Sequence, residues 1–245
     1  MAIQIIRHAF SMIFGNFGQA LRVSVGPFLI LAGVFVVAGQ FLRSVPSGGP
    51  GLAMMWLLLG TGALIVFSWI AVAWHRFILL EEYSGLLPRF EMPAIGPYVQ
   101  TTFLLFLVLL VCMLPLIFIG APLAQVLGGG GTSIIGFVVG ILTLYLLFRF
   151  GMTLPGTAIG KPITFRESWA ATKKESPTLW GVAAILTVMN IVIEMWSSIP
   201  LAPTLGNQIF QLVFAVGLNW LTMMLSVCVL TTFYGHLIEK RPLID

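Results

Sequence analysis

Between Arg22 and Glu239 the charged residues stand so far apart that the stretches 23–42, 44–74, 92–148, 176–193 and 195–238 contain no Asp, Glu, Lys or Arg. A helix rises 1.5 Å per residue and needs about 20 apolar residues to cross the hydrocarbon core of a bilayer. Each stretch therefore provides a crossing, and 92–148 is long enough for two. Only 8% of the residues are charged and 59% are hydrophobic, against about a quarter charged in a soluble domain. Such a chain cannot cover a water-facing surface, which excludes a secreted globular enzyme, a nucleic-acid reader and a disordered tail.

Breaker runs divide the stretches at 46–51, at Gly128-Gly129-Gly130-Gly131 and at 200–206. The reading is six spans, at 23–42, 52–74, 98–119, 133–150, 177–199 and 209–234. Of the twelve basic residues, Arg43 alone falls after an odd-numbered span. The other eleven lie on the opposite side, and the positive-inside rule then makes both termini cytoplasmic. This sorting accounts for the net charge of +4 without a polyanionic partner, so no nucleic acid is expected. The start of the chain does not read as a cleavable signal peptide, because Arg7 comes late and no small-residue cleavage pattern follows the apolar run. Span 1 is expected to be an uncleaved anchor.

The expected fold is all-α, a single polytopic membrane domain over 1–245. Its six transmembrane helices form three helical hairpins, about 1–76, 77–150 and 151–245, with amphipathic cytoplasmic interfacial helices. Gly26-Pro27, Gly96-Pro97 and Ser176-Pro177 recur at similar places, and proline suits the first turn of a helix. Each is expected to open an odd-numbered span. Ile3, Ile6, Phe10, Ile13 and Phe17 recur at helical spacing opposite Gln4, Arg7, His8 and Ser11, as in a helix lying on the inner surface. Thr164-x-x-Glu167 is a capping box that starts a second such helix at Phe165, with Phe165, Trp169 and Thr172 on one face.

Trp74-His75-Arg76-Phe77-Ile78-Leu79-Leu80 and Leu154-Pro155-Gly156-Thr157-Ala158-Ile159-Gly160, followed by Phe165-Arg166-Glu167-Ser168-Trp169, resemble a group of six-span bacterial inner-membrane proteins. That group is similar to the membrane domain of some glycerophosphodiester phosphodiesterases. The resemblance implies a multi-pass protein of the bacterial inner membrane. It does not carry the activity over, because the catalytic barrel and its acid and histidine cluster are missing from this sequence.

Candidate site residues fall into two sets. Glu194 is the single acid inside a span, and Asn190 shares its helix face one turn away; Asn219 lies at similar depth on the next span. These three form a candidate intramembrane polar site, since an ionisable group in the hydrocarbon is costly unless paired or hydrated. Against it stand snorkelling of Glu194 toward the outer face or toward Arg43, and interhelical hydrogen bonding by the asparagines. The second set, Arg149, Lys161, Arg166, Lys173 and Lys174, sits between spans 4 and 5 and suits anionic lipid headgroups, although topology alone produces such loops. His8, His75 and His236 read as interfacial hydrogen-bonding residues. His236-x-x-Glu239 offers two ligands where a metal needs three or four, so no metal or other cofactor is expected. Cys112 and Cys228 read as packing residues, and Gly136-x-x-x-Gly140 as an internal helix contact in preference to a dimer seam.

No convergent nucleophile, acid–base pair or phosphate loop is present in the sequence. The expected function is that of a non-enzymatic accessory or scaffold contacting lipids or partner membrane proteins. The alternative is a transporter of a lipid or small apolar solute.

Overall fold

The computed structural model describes residues 1–42, 50–85, 87–199 and 204–243; Arg43 and the breaker residues at 46–49 and 200–203 lie outside them. It is 86% helix, and no strand occurs among the described residues. Among the described residues eight helices follow one another: α1 (Ala2–Gly15), α2 (Phe17–Leu42), α3 (Pro50–Leu80), α4 (Met92–Phe150), α5 (Thr153–Ala158), α6 (Phe165–Ala171), α7 (Ser176–Ser197) and α8 (Leu205–Leu237). Five of them, α2, α3, α4, α7 and α8, are long and apolar enough to cross a membrane.

α4 is two arms. Gly128 has φ 69° and ψ −160°, a conformation that only glycine adopts without strain, and the chain turns back there. Met113 and Thr143 are each fifteen residues from the turn, and the Thr143 hydroxyl meets the Met113 sulfur at 3.6 Å. Closer to the turn, a Cβ on Gly120 would stand 3.1 Å from Ile135 Cγ2. The break uses the first glycine of the run, while Gly129, Gly130 and Gly131 are helical.

The prolines depart from the expectation. Pro177 is in the first turn of α7, but Pro27 and Pro97 lie inside α2 and α4. α2 begins at Phe17 because the chain turns a corner at Asn16, whose carbonyl accepts from the amides of Gln19 and Ala20. Pro27 then interrupts one helical hydrogen bond in a helix that began ten residues earlier.

α1 forms as expected, with the inward face rotated so that it keeps Ile6 and Ile13 of the expected set and adds Ile5 and Ala9. Ile5, Ile6, Ala9 and Ile13 are buried against α7 and α8, so closely that a Cβ on Gly181 of α7 would stand 2.7 Å from Ala2 Cβ. Ile3 is 73% exposed, and Phe10, Phe14 and Phe17 stack along the outer side at 6.1 and 6.2 Å. The helix is apolar around most of its circumference, which lets one side dock while another faces outward.

The core lies at one end of the bundle, around Trp74, Phe148, Met152, Met224, Phe233 and Tyr234, all fully buried. Toward the other end large apolar side chains are uncovered, with Val37 70% and Phe118 74% exposed. Uncovered apolar surface of this extent suits lipid tails as its solvent. α7 packs chiefly on α4, and α8 chiefly on α1 and α3, so the last two long helices are not each other's main partners. Gly140 makes an α4–α7 contact, where a Cβ would stand 3.0 Å from Thr187 Cγ2. Cys228 is buried, but Cys112 is exposed and so is not a packing residue.

Two short helices close the packed end. α5 is buried over most of its length, and a Cβ on Gly156 would meet the Lys161 carbonyl at 2.7 Å and the Tyr234 ring at 3.3 Å. α6 starts with the expected capping box: the Thr164 hydroxyl accepts from the Glu167 amide at 3.2 Å, and Glu167 Oε2 accepts from the Thr164 amide at 2.7 Å. These hydrogen bonds hold the exposed Glu167 carboxyl below its usual pKa. The box is therefore complete above the unfolded carboxylate pKa and is lost as pH falls through the lower folded value. Thr164→Ala at neutral pH is expected to cost about 1 kcal/mol of helix stability. Faster hydrogen exchange across 165–171 would register it, and acidification should speed the same amides in the unaltered chain.

Candidate lipid-contact site at the basic end

The packed end is also the basic end, because hydrogen bonds between chain segments gather it there. Arg241 Nη2 donates to the Leu79 carbonyl at 2.9 Å and so caps α3. The Arg76 guanidinium donates to both Glu82 carboxylate oxygens, at 2.7 and 2.8 Å, and through Nη1 to the Ala158 carbonyl at 3.3 Å. Gln19 reaches the Ser84 carbonyl at 3.3 Å, and Trp69 the Arg89 carbonyl at 3.2 Å. A cleft of about 360 Å³ opens between α3 and the segment after it, lined by Arg76, Glu82, Tyr83, Arg89 and Glu91 among others. With two cations and two acids, this cleft has no preference for one sign of charge.

His75 is fully buried, not interfacial. The Thr231 hydroxyl donates to the Val227 carbonyl at 2.8 Å, so toward His75 Nδ1, also at 2.8 Å, it acts as acceptor. Nδ1 therefore carries the proton, and Nε2 accepts from the Tyr98 hydroxyl at 3.2 Å. The resulting chain from Tyr98 through His75 and Thr231 to Val227 links α4, α3 and α8. Each side-chain member has its partner, which makes this a structural junction with a neutral imidazole. His236 Nδ1 donates to the Arg241 carbonyl at 3.0 Å, and Glu239 pairs with Arg241 at 2.7 Å. Among the described residues no group of three His, Cys, Asp or Glu could hold a metal.

The intramembrane polar set is not assembled. Asn190 and Glu194 are exposed on α7, and Asn219 is exposed on α8 with its amide donating to its own helix at Ala215, 2.8 Å away. Among the described residues no hydrogen bond joins these three. The helix pair is tied elsewhere, by Gln211 to the Ile199 carbonyl at 3.2 Å.

The basic set divides. Lys161, Arg166, Lys173 and Lys174 are exposed around α6. Arg149 is only 3% exposed, with its guanidinium carbon 3.8 Å from the centre of the Trp169 ring and 6.0 Å from that of Tyr145. Its placement follows from α6, which is strapped across the end of α4 by Ser168 Oγ donating to the Arg149 carbonyl at 2.8 Å and by Thr172 at 3.4 Å. The strap brings Trp169 down over the Arg149 side chain. Ring stacking covers a face of the guanidinium but leaves the in-plane N–H groups unanswered, and Nε and Nη1 have no hydrogen-bond partner. A charged donor left so typically costs about 1–3 kcal/mol or more.

No family model, curated protein or solved structure matches this chain. The site is therefore read from its own chemistry: a fixed strap carrying exposed cations and half-exposed Trp169, beside Trp180 stacked on Tyr145 at 4.2 Å. Cations interleaved with indole rings at a helix end suit the headgroup layer of a membrane. The capping box and Trp169 were legible signals for this arrangement. The Tyr98–His75–Thr231 junction was not, since its members are 23 and 156 residues apart.

Proposed function

We propose that the chain is a multi-pass protein of the bacterial inner membrane, with six spans in three hairpins and both termini cytoplasmic. On this reading it is a non-enzymatic scaffold that holds anionic lipid of the cytoplasmic leaflet and presents its apolar flanks to partner membrane proteins. The observation that carries the proposal is the strap itself. Lys161, Arg166, Lys173 and Lys174 are exposed on a segment pinned to the bundle, so their charge is held at one level. At about 1 kcal/mol for each basic residue near an anionic surface, four supply roughly 4 kcal/mol at low salt, less as ions screen them.

Spin-labelled lipids added to the full chain in mixed bilayers test this. Phosphatidylglycerol should be favoured over phosphatidylcholine in the immobilised fraction, and that preference should shrink with salt. In the variant carrying Arg166→Gln, Lys173→Gln and Lys174→Gln it should largely disappear. Unchanged selectivity in that variant would sink the proposal.

A second reading, transport of a lipid or small apolar solute, draws on an apolar groove of about 580 Å³ between α2, α3 and α8, with Asn219 on its wall. Mass spectrometry of material purified in mild detergent separates the two. A stoichiometric protein partner supports the scaffold, and one enriched apolar solute supports transport.

A further inference from the structure

We propose that Arg149 is the base of a binding site for a single phosphate group, roofed by Trp169 at the junction of α4, α6 and α7. The site deepens the lipid-contact reading and rests on it only for the source of the phosphate.

Arg149 is 97% withdrawn from the surface, and its Nε and Nη1 have no hydrogen-bond partner. Aromatic rings occupy its flanks, Trp169 at 3.8 Å and Tyr145 at 6.0 Å, so the guanidinium is held flat with Nε and Nη1 covered and without a partner, and an anion reaches them only by displacing the Trp169 roof. Nearby acids are committed elsewhere: Glu167 closes the capping box of α6, and Glu175 accepts from the Thr178 hydroxyl at 2.9 Å. No ion pair to Arg149 occurs among the described residues. Next to the site, Lys173 and Lys174 are exposed, and α7 begins at Ser176. The Ser176 hydroxyl shares one hydrogen bond with that of Tyr145 at 2.9 Å, so one proton of the pair is free to donate. The unpartnered guanidinium and, through Tyr145, the hydroxyl of Ser176 at the start of α7 are the donors that a tetrahedral oxyanion requires. Nη2 together with either Nε or Nη1 presents two parallel N–H groups to two phosphate oxygens in a way that one lysine ammonium cannot.

Two sources offer this group, an anionic phospholipid headgroup and free inorganic phosphate. The test uses the purified full chain in nanodiscs of phosphatidylcholine, to which phosphatidylglycerol or inorganic phosphate is added, read by native mass spectrometry and by thermal unfolding. The unaltered chain is expected to keep one phosphatidylglycerol under conditions that strip phosphatidylcholine, and to unfold at higher temperature with it. Arg149→Lys keeps the charge but not the fork, and its retention should fall about tenfold, with the thermal gain lost. Because the site is covered, retention by the unaltered chain should survive salt that abolishes the selectivity of the exposed strap; this distinguishes failure here from failure of the scaffold reading. A thermal gain from inorganic phosphate, absent in Arg149→Lys, supports the site and assigns it to the soluble ion. Equal retention by Arg149→Lys and the unaltered chain would overturn the proposal. So would an unaltered chain that neither distinguishes the two lipids nor responds to phosphate, an outcome that stands even if the variant fails to fold.

Discussion

Replacing Gly128, Gly129, Gly130 and Gly131 together with alanine is expected to remove the turn in α4. The conformation at Gly128 costs an L-residue about 1–3 kcal/mol, and alanine also raises helix propensity by about 1 kcal/mol at each position. A continuous helix would place positions 113 and 143 roughly 45 Å apart, where the folded arms bring their side chains to 3.6 Å. Spin labels at these two positions, with Cys112 and Cys228 replaced, would report the change as a distance distribution. Gly128→Ala alone should do far less, because Gly129 is available to take over the break with a slip of one residue. A quadruple variant that kept the short distance would show that packing between the arms, and not glycine, sets the turn.

His75→Ala is expected to be the most destabilising substitution in the Tyr98–His75–Thr231 junction, by about 3–5 kcal/mol. It removes a fully buried ring, leaves a cavity beside the Tyr98 ring and strands the Tyr98 hydroxyl. Thr231→Val keeps the side-chain shape but leaves the Nδ1 proton without an acceptor, for about 1–3 kcal/mol. Tyr98→Phe removes a donor and leaves only a lone pair unmet, so it should cost the least. Interhelical hydrogen bonds within membranes average only about 0.6 kcal/mol, so the ranking depends on what is stranded more than on the bond deleted. Thermal unfolding in one detergent would give all three values. A His75→Ala variant as stable as the unaltered chain would show that the ring is not locked between α4 and α8.

The broad architecture was legible because it follows from quantities summed along the chain. Charge-free length marks the apolar helices, since an uncompensated charge is costly in hydrocarbon wherever it sits. The run of four glycines from Gly128 to Gly131 marked the break in 92–148, and Thr164 with Glu167 marked the start of α6 from four consecutive residues. Rotation about each helix axis was not legible. A soluble helix reveals its inner face by a polar stripe, but α2, α3 and α4 are apolar all round and their solvent is as apolar as their core. Even in amphipathic α1 the docked set, Ile5, Ile6, Ala9 and Ile13, keeps only Ile6 and Ile13 of the face that begins at Ile3.

The same limit explains the candidate residues. Asn190 and Asn219 share an expected depth, with Glu194 one turn nearer the outer face, yet depth does not bring side chains together, and each is exposed on its own helix. Lys161, Arg166, Lys173 and Lys174 are exposed as local charge dictates, whereas Arg149 is covered because Ser168, nineteen residues later, pins α6 over it. Properties of segments, apolar helical length and the position of the break, follow from the sequence alone, because transfer free energy and backbone freedom act residue by residue. Properties of pairs follow only from the packed fold. Which histidine is locked in the core, which arginine is covered and which prolines fall inside a helix depend on contacts between segments far apart in the chain, and those are settled when the helices pack.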